Sequence, residues 1–357
     1  MNLKTRYLAW FVVALIFGWM AAGRPSFGDT LPPLAANLSN TTVSGLSSGA
    51  YMAGQFQVAY SKTVTGAALV AGGPYGCAHT PGSEVNPYWP AVLSWNLARA
   101  LNKCMEDGWF FSSVPDPNDL LSYAKQLSDQ GKIDPISDLK NDKVYLFSSG
   151  HDDTVERGVV DAADKFYLAA EVAAARIEYV KQDKAAHAFL TEDKGLACGQ
   201  KGPPFINDCD YDQAGEILKW LLGPLNPPLM PVEMNYIRFE QQPFLEGIGQ
   251  ANFDTNGIAY IPQSCRTETG CAVHVIFHGC RQGLAAVGDR FVNESGYARW
   301  AESNRIVLLF PQVVSSTLNP KGCWDWWGYT GPNFLEKSAL QMKAVHAMLD
   351  RLASGAQ

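Results

Sequence analysis

The feature that most constrains this chain is a rhythm, in which short β-branched or aliphatic runs alternate with longer amphipathic stretches almost throughout. Ala67 to Ala71, Val144 to Phe147, Arg176 to Val180, Val273 to Phe277 and Ile306 to Phe310 read as buried strands. Between them, Thr154 to Val172, Arg290 to Ser303 and Leu335 to Leu352 carry apolar residues every three to four positions, as helices packed on a sheet do. A chain of this order buries both faces of a mostly parallel sheet, so the predicted fold is α/β. With 47% of its 357 residues apolar and 18% charged, it has ample material for a core. The stretch GPLNPPLMP, Gly223 to Pro231, follows a helix ending near Leu222 and looks like a boundary. Neither side of it holds a complete set of α/β units, so it is read as a joint within one domain.

The net charge of −7 comes from 28 basic and 35 acidic residues without long runs of one sign, which argues against a nucleic-acid or anionic-membrane partner. At the N-terminus, Lys4 and Arg6 precede the apolar run Tyr7 to Met20, then small residues and a loop rich in Pro, Gly and Asp. That order describes a secretory signal over residues 1–28, cleaved between Ala22 and Asp29, leaving a mature chain of 29–357 in the periplasm or outside the cell. A membrane anchor is the weaker reading, because spanning needs about 20 apolar residues and this run is shorter. The eight cysteines are then in an oxidising compartment, and an even count allows all of them to pair. Cys198 with Cys209 and Cys265 with Cys271 are the expected local pairs, since both enclose loops full of turn formers. No C-x-x-C and no histidine at finger spacing supports zinc, and no H-E-x-x-H supports a catalytic metal, so no metal or other cofactor is expected.

The chemistry is concentrated first in TVSGLSSGAYM, Thr42 to Met52, where two serines stand between two glycines. Gly45-Leu46-Ser47-Ser48-Gly49 fits G-x-S-x-G, a sharp strand-to-helix turn that exposes a nucleophilic oxygen. A short strand from Asn40 to Ser44 and a helix from Ala50 to Tyr60 supply the required setting. In this register Ser47 is the candidate nucleophile, and the backbone N–H of Ser48 is half of a candidate oxyanion hole. A serine hydroxyl is a poor nucleophile at neutral pH, so a base must take its proton and an acid must fix the tautomer of that base. In α/β hydrolases these follow the serine in the order acid, then histidine. The strand KVYLF leads into SSGHDDTV, where Asp152 is the preferred acid and Asp153 the alternative; a helix N-cap is the structural reading of either. The strand ARIEYV leads into KQDKAAHAF, which puts His187 in a loop where the base belongs. His79, His151, His274 and His346 read as structural.

The second oxyanion donor normally comes from a strand ahead of the nucleophile, and the short mature segment before Ser47 leaves no room for that strand. VHVIFHGCRQG, Val273 to Gly283, supplies it instead: a buried strand ends in His278-Gly279-Cys280, the H-G pattern expected before the first helix of such a fold. The oxyanion strand therefore follows the triad, and the chain reads as a circularly permuted α/β hydrolase with the joint near 223–231.

GLSSGAYMAGQF, the D-D-T-V turn, AAHAF and FHGCRQG, in this order, resemble the secreted and periplasmic poly(3-hydroxybutyrate) depolymerases whose oxyanion segment comes after the triad. The resemblance spans essentially the whole mature chain, and CWDW at Cys323 to Trp326 resembles a further family segment. It implies that Ser47 is the nucleophile, Asp152 the acid, His187 the base, and that the N–H groups of Ser48 and Cys280 form the oxyanion hole. A Cys280–Cys323 disulfide, inferred beside that resemblance and not as a family property, would hold that hole against the tryptophan segment. The implied substrate is a hydrophobic polyester or its oligomers, taken in an apolar groove whose wall would include Trp324, Trp326 and Trp327. Trp89, Trp95 and Trp109, in an insertion from Cys77 to Phe111, are further candidates for that wall, and core packing is the plain alternative for all six. Many extracellular members append a linker and a polymer-binding domain. None is read here, which favours amorphous polymer or oligomers over dense crystalline granules. The competing readings are an esterase for feruloyl, acetyl or small soluble esters, and a non-catalytic secreted binding protein on the same scaffold.

Overall fold

The computed structural model describes residues 29–82, 89–106, 113–247, 249 and 251–355. The first half supplies strands β1 (Thr41–Leu46), β2 (Val64–Val70), β3 (Lys143–Ser149) and β4 (Ile177–Gln182), then three short strands, β5 (Phe189–Thr191), β6 (Leu196–Ala197) and β7 (Ile206–Asp208). The second half supplies β8 (Tyr236–Glu240), β9 (Asn256–Tyr260), β10 (Ala272–Phe277) and β11 (Ile306–Phe310). The long strands form one sheet of order β4-β3-β2-β1-β10-β11-β9-β8, while β5, β7 and β6 form a small second sheet. From β4 through β11 every pairing is parallel; β9 is antiparallel to β11 and to β8.

This order shows the permutation directly. The strand leading to Ser47 lies against β10, with Gly45 opposite Phe277, although β10 comes long after it in the chain. Chain on both sides of 223–231 contributes to the same sheet, and the two halves meet at the β1–β10 pair. Side chains explain why that pair is central: β1 is buried along its whole length and β10 at every position after Ala272, whereas β4, at the edge, keeps exposed and half-buried positions. A buried polar cluster fastens β1 to β10. The His274 imidazole contacts Thr42 Oγ1 at 2.7 Å and Ser44 Oγ at 2.8 Å, and Ser44 Oγ contacts the Tyr297 hydroxyl at 2.7 Å. Burial pushes the His274 pKa down from 6.5 to about 3, so the ring is neutral.

The helices are α1 (Ser48–Ala59), α2 (Trp89–Lys103), α3 (Pro117–Asp129), α4 (Arg157–Ala169) and α5 (Gln213–Leu222), followed by α6 (Gln263–Thr267), α7 (Leu284–Val287), α8 (Arg290–Glu294), α9 (Tyr297–Asn304) and α10 (Leu340–Ala353). α1 is buried on every side, because it lies directly behind the central strands. Three expected helices have different bounds, each for a local reason. The helix expected from Thr154 starts at Arg157, because the N–H groups of Thr154 and Val155 are taken by Asp152 Oδ1 at 2.8 and 3.0 Å. The helix expected over Arg290 to Ser303 is two helices, broken where Gly296 adopts φ +89°. The helix expected from Leu335 starts at Leu340, since Leu335 is instead buried in the core and its carbonyl accepts the Tyr75 hydroxyl at 2.7 Å.

All eight cysteines pair: Cys198–Cys209 and Cys265–Cys271 as expected from their spacing, Cys280–Cys323 as inferred above, and Cys77–Cys104. Among the described residues no helix is long and apolar enough to cross a membrane. The expected signal, 1–28, lies outside the described residues.

The buried His274 makes stability depend on acid in a defined direction. An unfolded histidine takes up a proton near 6.5 and the folded one only near 3, so the stabilisation is present above pH 6.5 and is lost as pH falls toward 3. We expect the urea midpoint of the wild type to drop more between about pH 7 and about pH 5 than that of His274→Gln, whose amide does not titrate. Equal drops in the two proteins would show that His274 does not carry this linkage.

Candidate active site

The site is built at the carboxyl ends of the parallel strands. β1 ends at Leu46 and α1 begins at Ser48, so Ser47 alone makes the turn, at φ 58° and ψ −121°. Few non-glycine residues take such a backbone, and it is the strained elbow that lifts a serine hydroxyl off the sheet. Both flanking glycines are required sterically. A Cβ on Gly45 would lie 2.2 Å from the carbonyl carbon and oxygen of Gly49, inside the turn itself. A Cβ on Gly49 would lie 2.1 Å from the Phe277 carbonyl oxygen and 2.6 Å from that of His278. Gly49 thus lets the first turn of α1 rest against the end of β10, where the His278-Gly279-Cys280 loop begins.

That approach brings the start of the Cys280 loop up to the first turn of α1. Among the described residues, neither the Ser48 N–H nor the Cys280 N–H is engaged in a hydrogen bond. Ser48 is also at the N-terminus of α1, where the helix dipole favours negative charge. The loop of Cys280 is held from several sides: Gly279 N–H donates to Gln282 Oε1 at 2.7 Å, Arg281 N–H donates to the Lys321 carbonyl at 2.8 Å, and the Cys280–Cys323 disulfide crosses to the tryptophan segment. Asn319 clamps Cys323 through both its carbonyl and its N–H, at 2.8 and 2.9 Å. Trp324 N–H reaches the Ser48 hydroxyl at 3.4 Å.

Asp152 and His187 meet across the loops that follow β3 and β4. His187 Nδ1 donates to Asp152 Oδ2 at 2.7 Å, and both residues are buried. The other carboxylate oxygen accepts from Thr154 and Val155, so Asp152 is fixed and the remaining imidazole nitrogen, Nε2, is left to act as a base. Asp153 is separated from this pair by its environment. Its carboxylate is exposed and bound to Lys201 at 2.6 Å, which holds its pKa below the usual range. The His187 loop is braced in turn, with Ala186 N–H donating to the Cys198 carbonyl at 2.9 Å beside the Cys198–Cys209 disulfide. Ser47 lies at the same edge of the sheet. No hydrogen bond joins its hydroxyl to His187 among the described residues, and such contacts are commonly long before a substrate closes the site. Tyr51, one turn along α1 from Ser47, has its phenol pKa pushed well up, by burial first and by the Asp152 charge in addition.

The other histidines have structural surroundings. His79 stacks on Tyr123 and His346 on Tyr60 at centroid distances of 3.9 and 4.3 Å, and His274 is in the core. His151 is exposed beside the Asp152 turn. His278 is fully buried; its Nδ1 donates to the Gly279 carbonyl at 2.8 Å, and burial lowers its pKa to about 4.

The tryptophans divide. Trp324 is a correction to the expected groove wall: it is 0% exposed and packs edge-on against Phe277 and Phe253, so it belongs to the core behind β10. Trp326 stacks on Tyr51 at 4.1 Å, and Trp327 packs against Trp326 and Tyr329. Both are 6% exposed, so they too are largely buried, beside Tyr51 of α1. In the insertion, Trp89 abuts Gly328, Trp95 is 47% exposed, and Trp109 lies outside the described residues. Sequence reading passed over Asp325. This buried carboxylate accepts from the N–H groups of Gly328, Tyr329 and Thr330 and so shapes the segment carrying Trp326 and Trp327. A lone carboxylate between tryptophans was the available signal. Among the described residues no group of three His, Cys, Asp or Glu side chains could hold a metal ion.

A parallel sheet with a strained serine elbow and a buried Asp–His pair at its carboxyl edge defines a protein of the α/β-hydrolase class. No family model matches the chain. It is 43% identical over 331 residues to the poly(3-hydroxybutyrate) depolymerase of Delftia acidovorans, covering 91% of this chain and 62% of that relative's length. It is 32% identical to the polyhydroxybutyrate depolymerase of Talaromyces funiculosus, covering 98% of both. Among solved structures, the PHB depolymerase from Penicillium funiculosum superposes with a TM-score of 0.78 at 32% identity, over 92% of this chain and 100% of that one. A serine-to-alanine variant of a PHB depolymerase, complexed with R3HB trimer, superposes with a TM-score of 0.79 over the same shares and at the same identity. The chain belongs to the polyhydroxybutyrate depolymerase family.

The disulfide beside Cys280 separates structural from chemical roles. Cys280→Ala opens a link across 43 residues, which on the chain-entropy model costs about 4 kcal/mol of stability. The backbone N–H remains, so turnover should fall far less than the roughly 10²- to 10³-fold typical of a lost oxyanion donor. Thermal unfolding and aryl-ester kinetics on the purified variant check both expectations.

Proposed function

We propose that this chain is a serine hydrolase that cleaves the ester bonds of poly(3-hydroxybutyrate) or its oligomers through an acyl-enzyme. The observation that carries the reading is the 2.7 Å hydrogen bond from His187 to a buried Asp152, at the edge of the sheet where the elbow presents Ser47. Ser47 Oγ attacks the ester carbonyl while His187 Nε2 takes its proton. Asp152 holds the imidazole in the Nδ1–H tautomer and stabilises the imidazolium. The oxygen of the tetrahedral intermediate is met by the N–H groups of Ser48 and Cys280, and the proton then passes to the departing alkoxide. Water, activated by the same histidine, releases the acyl group and restores the serine hydroxyl.

The substrate class follows from the relatives, one of which is complexed with R3HB trimer, and from the surroundings of the site. A polyester of this kind offers methyl groups and ester dipoles without charge, which suits an apolar wall with a few fixed donors. Trp326 and Trp327, on the α1 side, are the residues of the tryptophan segment we assign to that wall; Trp324 supports it from behind. Residues 29–357 act as one catalytic domain with its permutation joint near 223–231, after a secretory signal over 1–28, and the mature protein works in the periplasm or outside the cell. The four disulfides support that location. No cofactor enters the chemistry, and neither nucleic acid nor a membrane is its partner.

Purified protein should clear a suspension of amorphous poly(3-hydroxybutyrate) and be labelled at Ser47 by a fluorophosphonate. Ser47→Ala should lose nearly all activity, and Asp152→Asn about 10⁴-fold in turnover. Hydrolysis of aryl esters without clearing of the polymer would identify a small-ester esterase instead, and an unlabelled Ser47 would point to a binding protein.

A further inference from the structure

Gln282 is 1% exposed, and every hydrogen bond its side chain makes goes to backbone on two different loops. Its Oε1 accepts from Gly279 N–H at 2.7 Å. Its Nε2 donates to the carbonyls of Pro204 and Phe205, each at 3.0 Å. The Gln282 backbone N–H also donates to the Gly279 carbonyl at 3.2 Å, and His278 Nδ1 donates to that same carbonyl at 2.8 Å.

The Gly279 carbonyl and the Cys280 N–H belong to one peptide unit, and in a trans peptide they point in opposite directions. Holding the carbonyl therefore turns the Cys280 N–H the opposite way, and the bond from Gly279 N–H to Gln282 Oε1 fixes the same glycine from its other end. The far end of the same glutamine reaches the segment that supports the base: the Phe205 carbonyl bound by Nε2 also accepts Phe189 N–H at 2.9 Å, two residues beyond His187. One buried side chain thus bridges the loop of the candidate oxyanion donor and the Pro204-Phe205 segment, which pairs with the strand that follows the candidate base.

We propose that Gln282 is a positioning residue, which fixes the orientation of the Cys280 N–H and its distance from His187 without touching substrate. The proposal rests on the hydrolase reading above. It predicts a loss confined to the transition state, because a tilted amide weakens binding of the oxyanion and leaves ground-state contacts with the ester intact.

The test is Gln282→Met, close in volume but without the amide. Its kcat on a soluble aryl ester should fall about 10- to 100-fold, short of the 10²–10³ seen when an oxyanion donor is removed outright. KM should stay within about threefold, and affinity for a trifluoromethyl ketone, whose serine adduct places an oxyanion in the hole, should fall by the same factor as kcat/KM. Circular dichroism would establish that the variant is folded. Should it not fold, Gln282→Glu, which keeps an acceptor for Gly279 N–H but cannot donate to Pro204 and Phe205 as a carboxylate, is subjected to the same comparison. Wild-type kcat in a folded variant, or a rise in KM alone, overturns the proposal. Failure of the wild type itself to hydrolyse esters or to label at Ser47 overturns the hydrolase reading, and the proposal with it.

Discussion

The contact between the first turn of α1 and the end of β10 is the constraint on which the site depends. A helix can come this close to a strand's carbonyls only where it has no side chain, and at Gly49 even a single methyl group would sit within 2.1 Å of the Phe277 oxygen. From that approach follow the closeness of the His278-Gly279-Cys280 loop to the start of α1 and the reach of Trp324 N–H to the Ser48 hydroxyl. The strained backbone of Ser47 is held by the same packing, since α1 is buried on all sides and cannot rotate away to relax it.

Around this contact the molecule spends rigid connections where loops would otherwise wander. The Cys280–Cys323 bridge joins the H-G loop to the tryptophan segment, the Cys198–Cys209 bridge braces the chain after His187, and the Cys77–Cys104 bridge lies where the Tyr51 hydroxyl donates to the Cys104 carbonyl. Buried polar groups do comparable work. His274 ties β1 to β10, Asp325 gathers three amides of its own loop, and Gln282 spans two loops. Each such group is costly to bury unless its partners are in place, so each specifies one arrangement of the loops it joins.

Much of the fold was legible in the sequence because buried strands and amphipathic helices leave periodic traces. β11 was read to its exact bounds, and β10 to within one residue. Errors fell where a particular side chain or glycine overrode the period. Asp152 takes the amides that would have begun α4 three residues earlier, and Gly296 breaks one expected helix into two. The site divides in the same way. Ser47, Asp152 and His187 could be nominated from motif and chain order, but Asp152 and Asp153 are chemically identical in the sequence. Only the surroundings distinguish them, one facing His187 and the other Lys201. Trp324 and Trp326 are likewise equivalent as letters, yet one packs on Phe277 and the other on Tyr51.

By itself the sequence determined the α/β class, the elbow and its two glycines, the chain order of the candidate nucleophile, acid and base, and two of the disulfide pairs, because each of these is a local pattern or a short spacing. Tertiary structure alone decided which strands are neighbours, which of two adjacent aspartates meets the imidazole, what each tryptophan packs on, and that Gln282 connects two distant loops. The physical reason is that hydrogen bonds and packing act over a few ångströms in space, and the partners they join here are separated by up to hundreds of positions along the chain.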